Sequence, residues 1–100
     1  MITNPRIIKL ATAYPNLEPA QAKLVLFLYD QGGFASHSDI AQHLGRPING
    51  VGEWRKALNL IKIMVCNIRK SIGKYLIVAV WGRGYELTPN AKLLAALSDE

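Results

Sequence analysis

Residues 59–87 read NLIKIMVCNIRKSIGKYLIVAVWGRGYEL, and the two halves of this stretch follow different periods. Extended back to Trp54, the first half places Trp54, Leu58, Ile61, Val65, Ile68 and Ile72 at spacings of 4, 3, 4, 3 and 4. At about 100° per residue these six form one stripe, which predicts a helix over about 54–72 with that stripe buried. The second half is rich in β-branched and aromatic residues. YLIVAVW, residues 75–81, predicts a strand, Gly82-Arg83-Gly84 a turn, and YELT the return strand of a hairpin. A long helix joined by a very short link to a hairpin limits the folds available to this chain.

The face of the helix opposite the stripe carries Arg55, Lys56, Asn59, Ile63, Cys66, Asn67 and Lys70, with Lys62 and Arg69 on one flank. A face that is merely solvated would balance its charges, but this one has no acid after Glu53. From Arg46 to Arg83 the chain holds eight of its twelve Lys and Arg residues and one acid, a net +7 within a total of +5. Charge gathered on one helix and one hairpin is the footprint expected of a nucleic-acid-binding surface.

Working outward, LEPAQAKLVLFLYDQGG (residues 17–33) predicts a helix. Pro19 sits in its first turn, Ala20, Leu24, Phe27 and Leu28 share a face, and Gly32-Gly33 stop it. SHSDIAQHLG (36–45) predicts a second, short helix, with Ser36 and Asp39 as a capping pair. RPINGVG (46–52) reads as a loop. Pro89 opens a last helix whose Leu93, Leu94 and Leu97 are available for packing. Residues 1–16 fit either an amphipathic helix or a strand. The expected fold is mainly α with a small β-hairpin: a winged helix-turn-helix of three core helices and a β wing. Residues 1–16 would pack on the core, 17–88 would form the winged domain, and 89–100 an extra C-terminal helix and tail.

Three stretches resemble the OmpR/PhoB-type winged-helix domain, the DNA-binding output module of bacterial response regulators. LEPAQAKLVLFL is similar to that family's L-T-P-x-E-x-x-L-L-x-x-L opening. NLIKIMVCNIRKSI is similar to its recognition helix, with Ile61, Ile63, Val65, Ile68, Arg69 and Ile72 at the apolar and arginine positions. LIVAVWGRGYEL resembles the wing motif I-x-T-V-R-G-x-G-Y-x-L, with Gly82, Gly84, Tyr85 and Leu87 in place. The likeness spans residues 17–88, and the wing is its most specific part. The chain departs from the family at Asn59-Leu60, where an Arg-Thr pair is usual, and at Trp81, where a wing arginine is usual. No receiver segment and no N-terminal four-stranded sheet fit in the sixteen residues before the likeness begins.

The resemblance implies double-stranded DNA as partner, bound as head-to-tail pairs on direct repeats by a chain that is otherwise a monomer or weak dimer. It places the third helix in the major groove, with Ile63 and Asn67 facing bases and Arg83 in the minor groove. Asn59, Cys66, Arg69 and Lys70 fall near the backbone. RNA polymerase is a second partner it implies, through the loop holding Arg46 and Asn49.

The residue chemistry agrees with the DNA reading. Asn pairs bidentately with adenine, and Lys or Arg neutralises phosphate. Ile63 and Cys66 would lie against thymine methyls, favouring A·T-rich sequence. Arg83 between two glycines suits a narrow minor groove. The bland alternatives are that Ile63 and Met64 pack on another element and that Arg83 is a solvated turn residue. Trp81 is read first as a cover for the core edge beside Tyr85, with deoxyribose stacking or a protein contact as alternatives. The runner-up function is a winged-helix module that binds RNA polymerase or another regulator, motivated by Trp81, Leu60, Met64 and Leu94.

An enzyme is not expected. His37 and His43 lie six apart and Cys66 is remote from both, so no zinc spacing arises. Asp39 and His43 at i, i+4 read as a helix-stabilising pair. The GRG turn precedes no helix opening with Lys-Ser or Lys-Thr, which excludes a phosphate-binding loop. No cofactor or metal is called for. Cys66 on a cationic face is the one residue suited to redox sensing. A single cysteine, no secretory-signal pattern and no apolar run of membrane length lead to an expected place in a bacterial cytoplasm, at the nucleoid, in a bacterial or phage-encoded regulator.

Overall fold

The computed structural model describes residues 4–46 and 49–97. Five helices and three strands follow one another: α1 (Pro5–Ala13), α2 (Pro19–Asp30), β1 (Phe34–Ser36), α3 (His37–His43), α4 (Val51–Ile72), β2 (Ile77–Val80), β3 (Gly84–Leu87) and α5 (Ala91–Leu97). The molecule is mainly helical, with one small antiparallel sheet of order β1-β3-β2.

The ambiguous N-terminal stretch is a helix. Asn4 Oδ1 accepts from the Arg6 N–H at 2.9 Å and Pro5 occupies the first turn, two devices that start helices. Ile7 and Leu10 point inward. Arg6 reaches Asp30 at the end of α2 through two parallel N–H···O bonds of 2.9 and 3.1 Å. At the other end of the described chain, Asn90 Oδ1 caps Leu93 N–H at 2.9 Å and α5 lies against α1.

α2 does not present the single face expected of it. Ala20 is exposed and Phe27 half-buried, whereas Gln21, Ala22, Leu24, Val25, Leu26 and Leu28 are all buried. The helix touches α1, α3, β1 and β3, and a helix covered on several sides is apolar around most of its girth. Gly33 N–H closes its end on the Leu28 carbonyl at 2.9 Å, with Gly32 at a φ of +83°.

β1 is an addition to the expected two-stranded hairpin. Phe34, Ala35 and Ser36 pair with Glu86, Tyr85 and Gly84. Three residues are too few for a period to show, and their partners lie fifty residues away, so only the tertiary fold makes them a strand. Ser36 ends β1 and at once caps α3, its hydroxyl accepting from Asp39 N–H at 3.1 Å. The hairpin strand proper is Ile77–Val80, shorter than the expected 75–81, because Trp81 already belongs to the turn. Thr88 holds the base of the hairpin, its N–H on the Leu76 carbonyl and its hydroxyl on the Tyr75 carbonyl, both at 2.8 Å.

α4 spans 22 residues, about 33 Å of helix. It starts at Val51, so Val51 and Gly52 leave the expected loop; residues 47 and 48 of that loop lie outside the described residues. Ile61, Val65, Ile68 and Ile72 of the stripe are buried, joined by Ala57, while Trp54 and Leu58 are half-buried in the first turns. The core runs from Leu10 through Leu24, Leu28, Ile40, Ile61, Ile68 and Ile77 to Leu93 and Leu97, all fully buried.

Candidate nucleic-acid interface

The buried stripe of α4 fixes what the helix shows outward. With Ile61, Val65 and Ile68 in the core, Arg55, Lys56, Asn59, Lys62, Ile63, Cys66, Asn67 and Lys70 are all exposed. They follow one another along about four turns of helix. Ile63 is 58% exposed, which removes the alternative in which it packs on another element; Met64 is half-buried against the core. Arg69 and Lys70 lie in the last turn of the helix, where cations also meet the negative end of its dipole.

Arg69, expected near the DNA backbone, makes a contact within the fold. Its Nε donates to the Ile77 carbonyl at 3.0 Å, so the side chain ties α4 to β2 and is half-buried in doing so. The hairpin is held at two further points. His37 N–H, at the start of α3, donates to the Arg83 carbonyl at 3.0 Å. Gly84 lies so near β1 that a Cβ there would stand 2.8 Å from Ser36 Cα. The hairpin is thereby fastened at its tip to the entrance of α3 and at its base, through Arg69, to the far end of α4.

The two glycines of the tip serve different ends. Gly82 has a φ of +72°, which the turn needs and L-residues avoid. Gly84 instead lets the β1 backbone approach closely. Between them Arg83 is exposed, its N–H closing the turn on the Val80 carbonyl at 2.9 Å. Trp81 is 96% exposed, so the expected cover for the core edge is absent there. Tyr85 takes that place, half-buried with its ring edge-on to His37 at 5.6 Å. The hairpin turn ejects Trp81 because the strand ends one residue earlier.

No family model, curated protein or solved structure matches the chain.

The remaining candidates are dispersed. Arg46 and Asn49 are exposed near the start of α4, and Leu94 is 43% exposed on α5. His43 stacks on Phe27, with ring centroids 4.4 Å apart, instead of pairing with Asp39. Burial, and then the charge of Lys23, hold its pKa below the ordinary value. Among the described residues no three of His, Cys, Asp and Glu converge as metal ligands would, and no helix is long and apolar enough to cross a membrane. Two contributors to the site escaped the sequence reading: the His37 backbone N–H and the β1 seat beneath Gly84. Neither involves a side chain whose type announces its role.

Proposed function

We propose that the protein is a sequence-specific, double-stranded-DNA-binding regulator built as a winged helix-turn-helix. In this reading α3 and α4 form the helix-turn-helix, with α4 as the recognition helix, and β2 and β3 are the wing. One observation carries it: the exposed face of α4 holds four cations (Arg55, Lys56, Lys62 and Lys70) and two amides with no acid beyond Glu53, and a braced hairpin holds Arg83 out. Asn59 and Asn67 suit the adenine edge, Ile63 and Cys66 thymine methyls, and Lys56, Lys62 and Lys70 the phosphates. Arg83 suits the minor groove of A·T-rich DNA. The resemblance to OmpR/PhoB-type domains supports the same assignment. Pairing on DNA would place half-sites about one helical turn apart.

The test is binding to a labelled A·T-rich duplex across a salt series. Each phosphate neutralised contributes about −0.9 to the log–log slope, so affinity falls steeply with salt. Arg83→Ala makes the slope shallower by about one unit, and Lys70→Glu abolishes binding. Weak binding that ignores salt and both substitutions overturns the reading.

A protein-binding module is the second reading, and one observation favours it. α1 and α5 leave a shallow apolar groove of about 430 Å³ lined by Ile8, Thr12, Ala13 and Ala96, with Lys9 and Lys92 also lining it. Ile8→Ser, which puts a hydroxyl in that groove, would impair that activity and leave DNA binding unchanged.

A further inference from the structure

We infer that Trp81 is a wedge that enters the base stack from the minor groove beside Arg83; the inference rests on the DNA-binding reading above. Trp81 is 96% exposed, more than any other large apolar side chain described. Its turn has the sequence Trp81-Gly82-Arg83 and leads into Gly84, so an indole and a guanidinium are the only side chains beyond Cβ at the tip. Glycine on both sides of Arg83 keeps the tip narrow enough to follow a ring into a groove.

The tip is also stiffly backed. Arg83 carries a carbonyl held by His37 N–H and an N–H closed on Val80; Arg69 pins the opposite end of β2 at Ile77; and Gly84 rests on β1. A side chain that must part stacked bases needs such backing, since a loose hairpin would bend before the bases did. The surroundings select the occupant. An aromatic ring and an arginine share one exposed turn, the nearest acid along the hairpin is Glu86, and the pair fits a polyanion with flat apolar faces inside it. Double-stranded DNA has both. Apolar wedges in the minor groove unstack a base step and kink the duplex, and the flexible pyrimidine–purine steps, TA above all, yield most readily. The preferred site is therefore a TA step flanked by the narrow A·T-rich groove that takes Arg83.

The experiment uses the full chain and a fluorescent duplex with 2-aminopurine in place of the adenine of a central TA step. Wild type is expected to bind with steep salt dependence and to raise the 2-aminopurine emission as the base unstacks. Trp81→Ala is expected to bind about tenfold more weakly and to lose the rise. Its salt slope stays unchanged, because an apolar contact releases no counterions, whereas Arg83→Ala reduces the slope by about one. Steep wild-type binding with silent 2-aminopurine overturns the wedge and leaves the DNA-binding reading standing, whether or not Trp81→Ala weakens affinity through sugar packing. Absence of wild-type binding to any duplex overturns both.

Discussion

Gly84 stands directly across the sheet from Ser36, so close that a Cβ on Gly84 would lie 2.8 Å from the Ser36 Cα. The atoms it would meet are backbone, which cannot swing aside as a side chain can. This contact joins the hairpin to the strand that leads into α3, and so couples the position of the tip to that of the helices. Gly84→Ala is therefore expected to cost about 3 kcal/mol, the upper part of the range for overpacking. Gly82→Ala meets open space and is strained only by its φ of +72°, so it should cost about 1 kcal/mol. Urea midpoints of the two variants measured together check the order; equal losses would show that the β1 seat is slack.

Arg69 anchors the other end of the hairpin through the Ile77 carbonyl. Arg69→Met keeps the apolar stem and removes the donor. Hydrogen bonds from charged groups contribute about 1.5–3 kcal/mol, and a half-buried one belongs at the lower end. Faster amide exchange in β2 and β3, with α1 and α2 unchanged, is the expected result. Uniform acceleration throughout the chain would mean that the contact supports the whole core and not the hairpin alone.

Tyr14 is buried, and its hydroxyl is without a hydrogen-bond partner among the described residues. Burial raises the pKa of that hydroxyl, and Lys92 Nζ sits 4.6 Å from the ring centroid. Tyr14→Phe keeps the ring and its cation contact while deleting an unsatisfied polar atom. Stability should rise by about 1 kcal/mol, or about 4–8 °C in Tm for a domain of this size. A lower Tm would reveal a bound water on the hydroxyl.

Stability should also depend on pH through His43. Its folded-state pKa is held below 6.5 by burial and then by Lys23, so the unfolded chain binds the proton more readily. The stabilisation is complete above pH 6.5. It declines as pH falls through that value and stops declining below the folded pKa. The residue is largely exposed, so the effect is modest. His43→Gln is expected to flatten the urea midpoint between pH 7.5 and 5.5; an unchanged pH dependence would assign it to other groups.

Much of the fold was readable in advance because the apolar stripe of α4 is long, regular and followed by an unmistakable change of period. Ile61, Val65, Ile68 and Ile72 could face nowhere but the core, and this alone sent Asn59, Ile63, Asn67 and Lys70 outward. The helix starts and stops at Pro19, Gly32-Gly33 and Ser36 were equally local, since caps and turns act over three or four residues. Which residues the surface presents was thus written in the sequence. How they are held was decided by the tertiary structure. β1 exists through pairing with residues fifty positions away, Arg69 is drawn from solvent by a carbonyl on β2, and Trp81 is exposed because β2 ends at Val80. Each depends on backbone atoms brought together from distant parts of the chain, and backbone atoms are the same in every residue.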